Sequence, residues 1–492
     1  MSNTNKRISA YEIIGIPLLG EGVAMLLCVV PSLLYNDGAW WQMSISSLAA
    51  TIAGALLIML GRRADNSKRE KKLLGTQLSF ISVTVVWLAL SFFGTLPFII
   101  GDYTASFSDA FFETMSGLTS TGATIFSDVE TLPPSLLFWR SLMQWLGGFG
   151  IILLVLAIVP SLGMNKFSLY TAEASNADNT GKTTTSVRTT VQRTLFVYVT
   201  LTALFIILLS MSGMTLWEAI NLTFTNISTG GFSIYSDSIA SFTPLQQYLL
   251  AIAMFLGGIN FALLYNIFTF RWTQIRHKLD QFGFYLFTFV ASCFFVVTVL
   301  HYNGGHPWNE ALRHGFVQTI SVLTTTGSVI ADTNLWWTPI LFLFLILSLC
   351  GGMAGSTTGG IKIMRVLILF RNALNTLTSK LHPNAYNPVR LNGVPVSNGL
   401  ITNVMVTFVV FAFTLLIGLL ALMVCGVDAT EALGAVFGCT TGYGPGLGAS
   451  GGFGSYAAFP TMAKWVCSIL MLLGRLECLT VYLLVLPSFW RR

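Results

Sequence analysis

Four short runs of hydroxyl residues and glycine recur along this chain: Ser120-Thr121-Gly122, Ser228-Thr229-Gly230, Thr325-Thr326-Gly327 and Thr440-Thr441-Gly442. Their glycines lie 108, 97 and 115 residues apart (122 to 230, 230 to 327, 327 to 442). The chemistry such runs offer is that of carbonyl and hydroxyl oxygen. Glycine reaches positive φ with no side chain in the way, so successive carbonyls can turn toward one axis. A preceding Ser or Thr adds a hydroxyl and packs the loop from behind. Several extended segments arranged in this way replace the water shell of a monovalent cation. No carboxylate occurs within the four runs, which argues for a monovalent ion over calcium. One such run carries no weight. Four, each following a short amphipathic segment and set between apolar stretches, are enough to close a ring around a single ion path.

The elements that must position these loops are legible in the hydropathy. Hydrophobic residues make up 54% of the 492 residues, charged residues 9%, and mean hydropathy is +0.72. Soluble domains are about a quarter charged, so the chain reads as an all-α polytopic membrane protein. A span needs about 20 apolar residues. Ten stretches qualify: 10–34, 43–61, 74–100, 136–160, 194–213, 245–270, 282–301, 337–371, 400–426 and 461–488. The short segments 109–117, 217–225, 314–322 and 429–438 cannot span, and read as re-entrant pore helices aiming the negative ends of their dipoles at the ion. The predicted architecture is therefore ten transmembrane helices: an N-terminal helix pair and four helix–pore-loop–helix repeats in pseudo-fourfold arrangement. The predicted units are 1–72, 73–193, 194–281, 282–399 and 400–492.

Basic residues set the orientation. Arg62, Arg63, Lys68, Arg69, Lys71 and Lys72, the clusters in 166–193, 271–278 and 365–390, and Arg491-Arg492 all fall on the cytoplasmic side if both termini are inside. Only Arg140, Arg313, Lys464 and Arg475 fall elsewhere. Outer segments carry acids such as Asp128, Glu130 and Asp237, which concentrate cations at the mouth. The net charge of +6 lies at helix ends, not on one face, so it is no evidence for nucleic-acid binding, and none is expected. No HExxH, paired catalytic Asp or Ser-His pair at membrane depth is present, so no enzyme is read here. Position 176 is Asn, so Thr180-Gly181-Lys182-Thr183 is a linker and not a phosphate loop. The polar start, residues 1–9, carries no cleavage pattern of a signal peptide. The seven cysteines read as packing residues, Cys439 beside the fourth loop included.

Two features stand apart. Arg475 lies near the middle of the last stretch, about 14 residues or roughly 20 Å from water at either end, too far to snorkel. Either an acid on another helix, such as Glu113, pairs with it, or it faces a cavity where its charge raises the barrier to cations. Glu477 points to a different face. The run Gly351, Gly352, Met353, Ala354, Gly355, Ser356, Thr357, Thr358, Gly359, Gly360 breaks an over-long apolar stretch. At membrane depth it must be buried in protein or line water, as a gate or as a static kink. Only one helix reads as broken, and no buried acid pair stands out, which weighs against ion-coupled alternating access. Glu113 and Gln318 occupy matching positions in their short helices, with Asn221 in the second and Leu433 in the fourth. They read as braces for the loops. His301, His306 and His314 sit near the outer surface without metal spacing.

The run Thr440-Thr441-Gly442-Tyr443-Gly444 is similar to the TVGYG loop of potassium channels. Nearly the whole chain resembles the Trk/Ktr/HKT superfamily of potassium transporters, and within it the bacterial TrkH type. The resemblance rests on the loops and on Trp139-Arg140-Ser141-Leu142-Met143-Gln144-Trp145-Leu146-Gly147-Gly148-Phe149-Gly150-Ile151. It rests also on the 351–360 run followed by Ile361-Lys362, on Gly474-Arg475-Leu476-Glu477, and on the extra N-terminal helix pair. The resemblance implies a four-unit pore for K+ in the bacterial inner (plasma) membrane, with no cofactor in this chain. It implies filter glycines at Gly122, Gly230, Gly327 and Gly442, with Gly122 favouring potassium over sodium. It implies a gating loop at 351–360 and Arg475 beneath the filter. It further implies a homodimer and a separate cytosolic nucleotide-binding regulatory subunit of the TrkA type, although 161–193 departs from the family's pattern. The basic inner loops suit that subunit or anionic lipid head groups. A sodium-preferring or weakly selective cation pore and an ion-coupled transporter are the competing readings.

Overall fold

Apolar runs leave the backbone only itself to bond with, and helices result. The computed structural model describes residues 10–64, 76–161, 187–271, 275, 279–382 and 388–490. Among them a single hairpin pair, β1 (Arg390–Leu391) with β2 (Val394–Pro395), is the only sheet. The basic residues Lys68, Arg69, Lys71, Lys72, Lys278, Arg491 and Arg492 lie outside the described residues, as do residues 1–9 and the linker 162–186.

The chain begins with α1 (Ala10–Leu27), α2 (Val29–Tyr35) and α3 (Trp40–Ala64). Small residues let α1 and α3 touch: a Cβ on Gly15 would meet the Gly54 carbonyl at 2.7 Å, and Ser47 Oγ donates to the Gly22 carbonyl at 2.6 Å. Four units follow. The first holds α4 (Thr76–Gly94), α5 (Leu96–Ile100), the short α6 (Phe107–Leu118) and α7 (Pro134–Ser161). The second holds α8 (Val187–Met211), the short α9 (Leu216–Ile227), α10 (Pro244–Gly257) and α11 (Phe261–Phe268). The third holds α12 (Leu279–Tyr302), the short α13 (Trp308–Leu323), α14 (Thr338–Cys350) and α15 (Ile363–Leu381). The fourth holds α16 (Asn398–Val424), the short α17 (Ala429–Thr441), α18 (Thr461–Arg475), α19 (Leu479–Val485) and α20 (Pro487–Trp490).

Side-chain caps start three of the four short helices, and Pro307 precedes the other, α13. Ser106 accepts from the Asp109 N–H, Thr215 forms a capping box with Glu218, and Asp428 accepts from the Thr430 N–H. Each is 12 to 16 residues long, which cannot cross a bilayer. By contrast six stretches among the described residues are long and apolar enough: Tyr11–Tyr35, Trp40–Arg63, Ile81–Ile100, Thr189–Met211, Leu279–Tyr302 and Asn398–Val424. The outward faces of these helices carry exposed Leu34, Met211, Phe294 and Val424, as a lipid-facing belt requires.

Beyond the one-residue steps at Cys28 and Thr95, which leave Tyr11–Tyr35 and Ile81–Ile100 as single spans, three predicted spans are interrupted, not one. The break predicted inside 337–371 is present: α14 ends at Cys350 and α15 begins at Ile363. The stretch read as one span at 245–270 bends by 107° between α10 and α11. There Asn260 Oδ1 accepts from the Leu263 N–H as a new cap, and the Phe261 N–H donates to the Gly355 carbonyl at 3.1 Å. The stretch 461–488 also divides, with Glu477 and Cys478 at positive φ (57° and 30°). Arg475 therefore closes a helix and does not sit inside one. The expectation of a single broken helix is corrected accordingly.

Candidate ion-binding site

Each short helix ends in the same backbone turn. The N–H groups of Thr121, Gly230 and Thr326 donate to the carbonyls of Ser116, Thr225 and Ser321 at 2.8–2.9 Å. The residue just before each donor has positive φ: Ser120, Thr229 and Thr325 at 51–53°. The residue just after is Gly122, Gly231 or Gly327, at 84°, 76° and 85°. The fourth loop repeats the pattern with Gly442 at 75°, Tyr443, and Gly444 at 92°. Three non-glycine residues are thus held in the left-handed region, a strain that this turn alone explains. In structural register the equivalent glycines are Gly122, Gly231, Gly327 and Gly444. The sequence pattern aligns Gly230 and Gly442 instead, one and two positions earlier.

These glycines close the four loops into a ring. A Cβ on Gly122 would lie 2.1 Å from the Gly230 carbonyl oxygen, and one on Gly231 would lie 1.9 Å from that of Thr326. One on Gly327 would lie 2.1 Å from the Tyr443 oxygen, and one on Gly444 2.4 Å from that of Thr121. The order is first to second, second to third, third to fourth, and back to the first. Any side chain at these four points would collide with a neighbouring backbone. Above the ring opens a solvent-connected recess of about 70 Å³, lined by the four glycines together with Arg140, Phe232 and Tyr456.

Side chains behind the loops fix them, each in its own way. In the first unit, Glu113 Oε2 accepts from the Ile125 N–H at 2.9 Å, and Arg140 Nε donates to Glu113 Oε1 at 2.8 Å. In the third, Gln318 Oε1 accepts from the Ile330 N–H at 3.3 Å and its Nε2 donates to Tyr443 Oη at 3.3 Å. Glu113 and Gln318 thus do the matching job that their spacing predicts. Asn221 and Leu433 do not share it: Asn221 donates to the Trp217 carbonyl at 2.9 Å within its own helix, and its Oδ1 has no partner among the described residues. The second loop is instead held by Gln144, which donates to the Gly230 carbonyl at 2.7 Å and accepts from the Phe232 N–H at 3.0 Å. The fourth is held by Tyr456, whose hydroxyl donates to the Gly444 carbonyl at 2.8 Å. Gln144 and Tyr456 carry no signal in spacing, since they come from outside the short helices.

Beneath the ring lies the 351–360 run. The Gly359 N–H donates to Thr325 Oγ1 at 2.7 Å, and the Gly360 N–H to the Thr441 carbonyl at 2.8 Å. Thr357 Oγ1 donates to the Ile227 and Gly257 carbonyls at 3.1 Å and accepts from Thr229 Oγ1 at 3.2 Å. Gly351, Gly355 and Gly360 take positive φ, while Gly352 packs on the Gly258 carbonyl. Ser356 Oγ donates to the Met353 carbonyl at 2.6 Å and lies 2.8 Å from Thr358 Oγ1. The run therefore joins the underside of the second, third and fourth loops. Arg475 reaches the first: Nη2 donates to Ser120 Oγ at 3.3 Å and to the Gly147 carbonyl at 2.8 Å, and Nη1 to the Thr357 carbonyl at 3.0 Å. Because Glu113 is taken by Arg140, the alternative pairing of Arg475 with Glu113 is overturned. Glu477 bonds Arg365 at 2.6 Å instead.

The outer histidines form no metal site; no group of three His, Cys, Asp or Glu among the described residues is placed to hold one. His301 Nδ1 lies 2.9 Å from the His306 carbonyl, and His314 stacks on Trp336.

Comparison with known proteins agrees along nearly the full length. The family TrkH, described as cation transport protein, matches residues 46–491. The Trk system potassium uptake protein TrkH of Halomonas elongata is 32% identical over 486 residues, 98% of both chains. Its namesake from Escherichia coli (strain K12) is 31% identical over 485 residues, again 98% of both. The crystal structure of the potassium transporter TrkH from Vibrio parahaemolyticus superimposes with a TM-score of 0.87 at 29% identity, covering 98% of this chain and 99% of that one.

Proposed function

Because the chain belongs to the TrkH family of cation transport proteins, we propose that this integral membrane protein takes up potassium through the ring of four loops. The observation that carries the reading is the closed ring, in which a glycine of each loop abuts a carbonyl of the next. Ser120, Thr121, Gly122, Ser228, Thr229, Gly230, Thr325, Thr326, Gly327, Thr440, Thr441 and Gly442 form the ion-binding loops, joined by Gly231, Tyr443 and Gly444. Backbone oxygens there replace the hydration shell of K+. The ten crossings group into an N-terminal pair and four pseudo-fourfold units. An inside-negative potential drives entry by about 2.3 kcal/mol per 100 mV for each ion. The 351–360 run and Arg475 form the gate, since together they bond all four loops from below. The protein acts in the bacterial inner membrane as a homodimer, with a cytosolic nucleotide-binding subunit of the TrkA type controlling the gate.

Ion-coupled transport is a second reading, favoured by helix breaks in three units that converge beneath one site. Rubidium and sodium uptake into proteoliposomes of the purified protein separates the readings. Rubidium entry that potassium blocks and that needs only a membrane potential supports the pore. Entry that also requires a proton or sodium gradient supports coupling. Equal sodium entry sinks potassium selectivity altogether.

A further inference from the structure

The four seams of the ring are not alike. Between the second and third loops, Ser328 Oγ donates to Asn226 Oδ1 at 2.9 Å and the Val329 N–H to Ser238 Oγ at 3.0 Å. Between the third and fourth, Gln318 meets Tyr443. Between the fourth and first, the Tyr456 N–H donates to the Thr124 carbonyl at 2.8 Å and its hydroxyl to the Gly444 carbonyl. All of these bonds are neutral. A buried ion pair, Lys464 Nζ with Asp109 Oδ1 at 2.6 Å, joins α18 to the start of α6, whereas between the first and second loops a charge bonds the loop segments themselves.

That charge is Arg140, which is 1% exposed. Its Nε donates to Glu113 Oε1 at 2.8 Å, its Nη2 to Thr124 Oγ1 at 3.2 Å, and its Nη1 to the Ser233 carbonyl at 3.0 Å. Thr124 stands two residues after Gly122, and Ser233 two residues after Gly231. One planar guanidinium therefore holds the same position of two neighbouring loops at a fixed separation. Its carbon also lies 4.1 Å from the centre of the Phe232 ring, which sets the plane. Glu113 completes the clamp by accepting from the Ile125 N–H and from Thr124 Oγ1 at 3.1 Å.

We infer that Arg140, backed by Glu113, is a specificity-determining positioning residue. It touches no ion, but it fixes the gap between the first two loops and so the size of cation the ring prefers. The inference rests on the pore reading given above. Three directional bonds and a ring contact from one rigid fork resist the contraction that a smaller ion demands. A lysine keeps the charge but offers a single ammonium, which cannot span Glu113, Thr124 and Ser233 together. Charge and fork are thereby separable.

The test compares rubidium and sodium uptake in proteoliposomes of wild type, Arg140→Lys and Thr124→Val, at matched protein content and with thermal unfolding measured alongside. In Arg140→Lys the rubidium-to-sodium ratio should fall about tenfold, the scale of one lost charge-assisted hydrogen bond. In Thr124→Val, which removes the hydroxyl that accepts from Arg140 and donates to Glu113 but leaves the ion pair, it should also fall about tenfold, the scale of one charge-assisted bond. A purely structural role lowers both fluxes by the same factor and leaves the ratio alone, which overturns the inference. Should Arg140→Lys not fold, Thr124→Val decides on the same criterion. A wild type that is itself unselective refutes potassium selectivity and this inference together. A selective wild type with equally selective variants refutes the inference only.

Discussion

Two arginines face the ring from opposite sides, and their partners differ in kind. Arg140, on the recess side, sits against a carboxylate and makes its other bonds to a hydroxyl and a carbonyl. Arg475, on the underside, bonds two carbonyls and a hydroxyl, and no acid among the described residues pairs with it. A charge neutralised at 2.8 Å exerts little field beyond its partner, so Arg140 acts by holding things in place. A charge bonded only to neutral oxygens keeps its field, which an ion leaving the proposed pore would feel. On the proposed pore reading, the same residue type serves as a strut in one place and as an electrostatic barrier in the other.

The largest effect comes from breaking the strut. Arg140→Ala leaves Glu113 as a buried, unpaired carboxylate and should cost about 3–5 kcal/mol of stability. Thermal unfolding of the detergent-solubilised protein reads this directly. A loss no larger than that of an ordinary surface substitution contradicts the description of Arg140 as a strut.

Breaking the barrier should act on flux. At an effective dielectric constant near 20 and a separation of about 10 Å, a unit charge opposes a monovalent cation by about 1.7 kcal/mol, somewhat over tenfold in rate. Arg475→Ala should therefore raise rubidium uptake about tenfold, with Arg475→Lys close to wild type. Unchanged or reduced uptake in a well-folded Arg475→Ala protein would remove the barrier role.

The comparison sharpens within the strut itself, because the third unit performs the task of the first without charge. Gln318 matches Glu113 in position and in the N–H it accepts, but its second bond goes to a tyrosine hydroxyl. Gln318→Leu orphans the Ile330 N–H and should cost about 1–3 kcal/mol, less than Arg140→Ala. Equal losses at the two positions would show that the charge adds nothing.

Much of this was legible in the sequence, and what was not has a physical reason. The four loops stood out because each needs glycine and hydroxyl residues at fixed offsets from a short helix. The match of Glu113 with Gln318 was readable for the same reason. The register of the second and fourth loops was not. Gly230-Gly231 and Gly442-Tyr443-Gly444 each offer two glycines, and only the backbone angles select Gly231 and Gly444. The bend at Gly258–Asn260 was also hidden, since one Asn in an apolar run looks like any buried polar residue until the Ala354 and Gly355 carbonyls are seen beside the break. The partner of Arg140 lies across two helices, where local spacing carries no information.

The smallest expected effect probes the neutral brace from outside. His314 lies one helical turn before Gln318 on α13, stacked on Trp336. Burial, then the nearby Arg313 and His306, hold its imidazole below the ordinary value of 6.5, with Glu310 opposing. The folded chain therefore binds this proton more weakly than the unfolded chain does. As pH falls below about 6.5 the unfolded chain takes up the proton first, so stability is lost on acidification and retained above that pH. His314→Gln should flatten the acid limb of the unfolding temperature against pH, and Gln318→Leu, which removes no titratable group, should leave its slope in place. If both variants keep the wild-type acid limb, His314 has no part in it, and the pH response belongs to the other groups at the outer mouth.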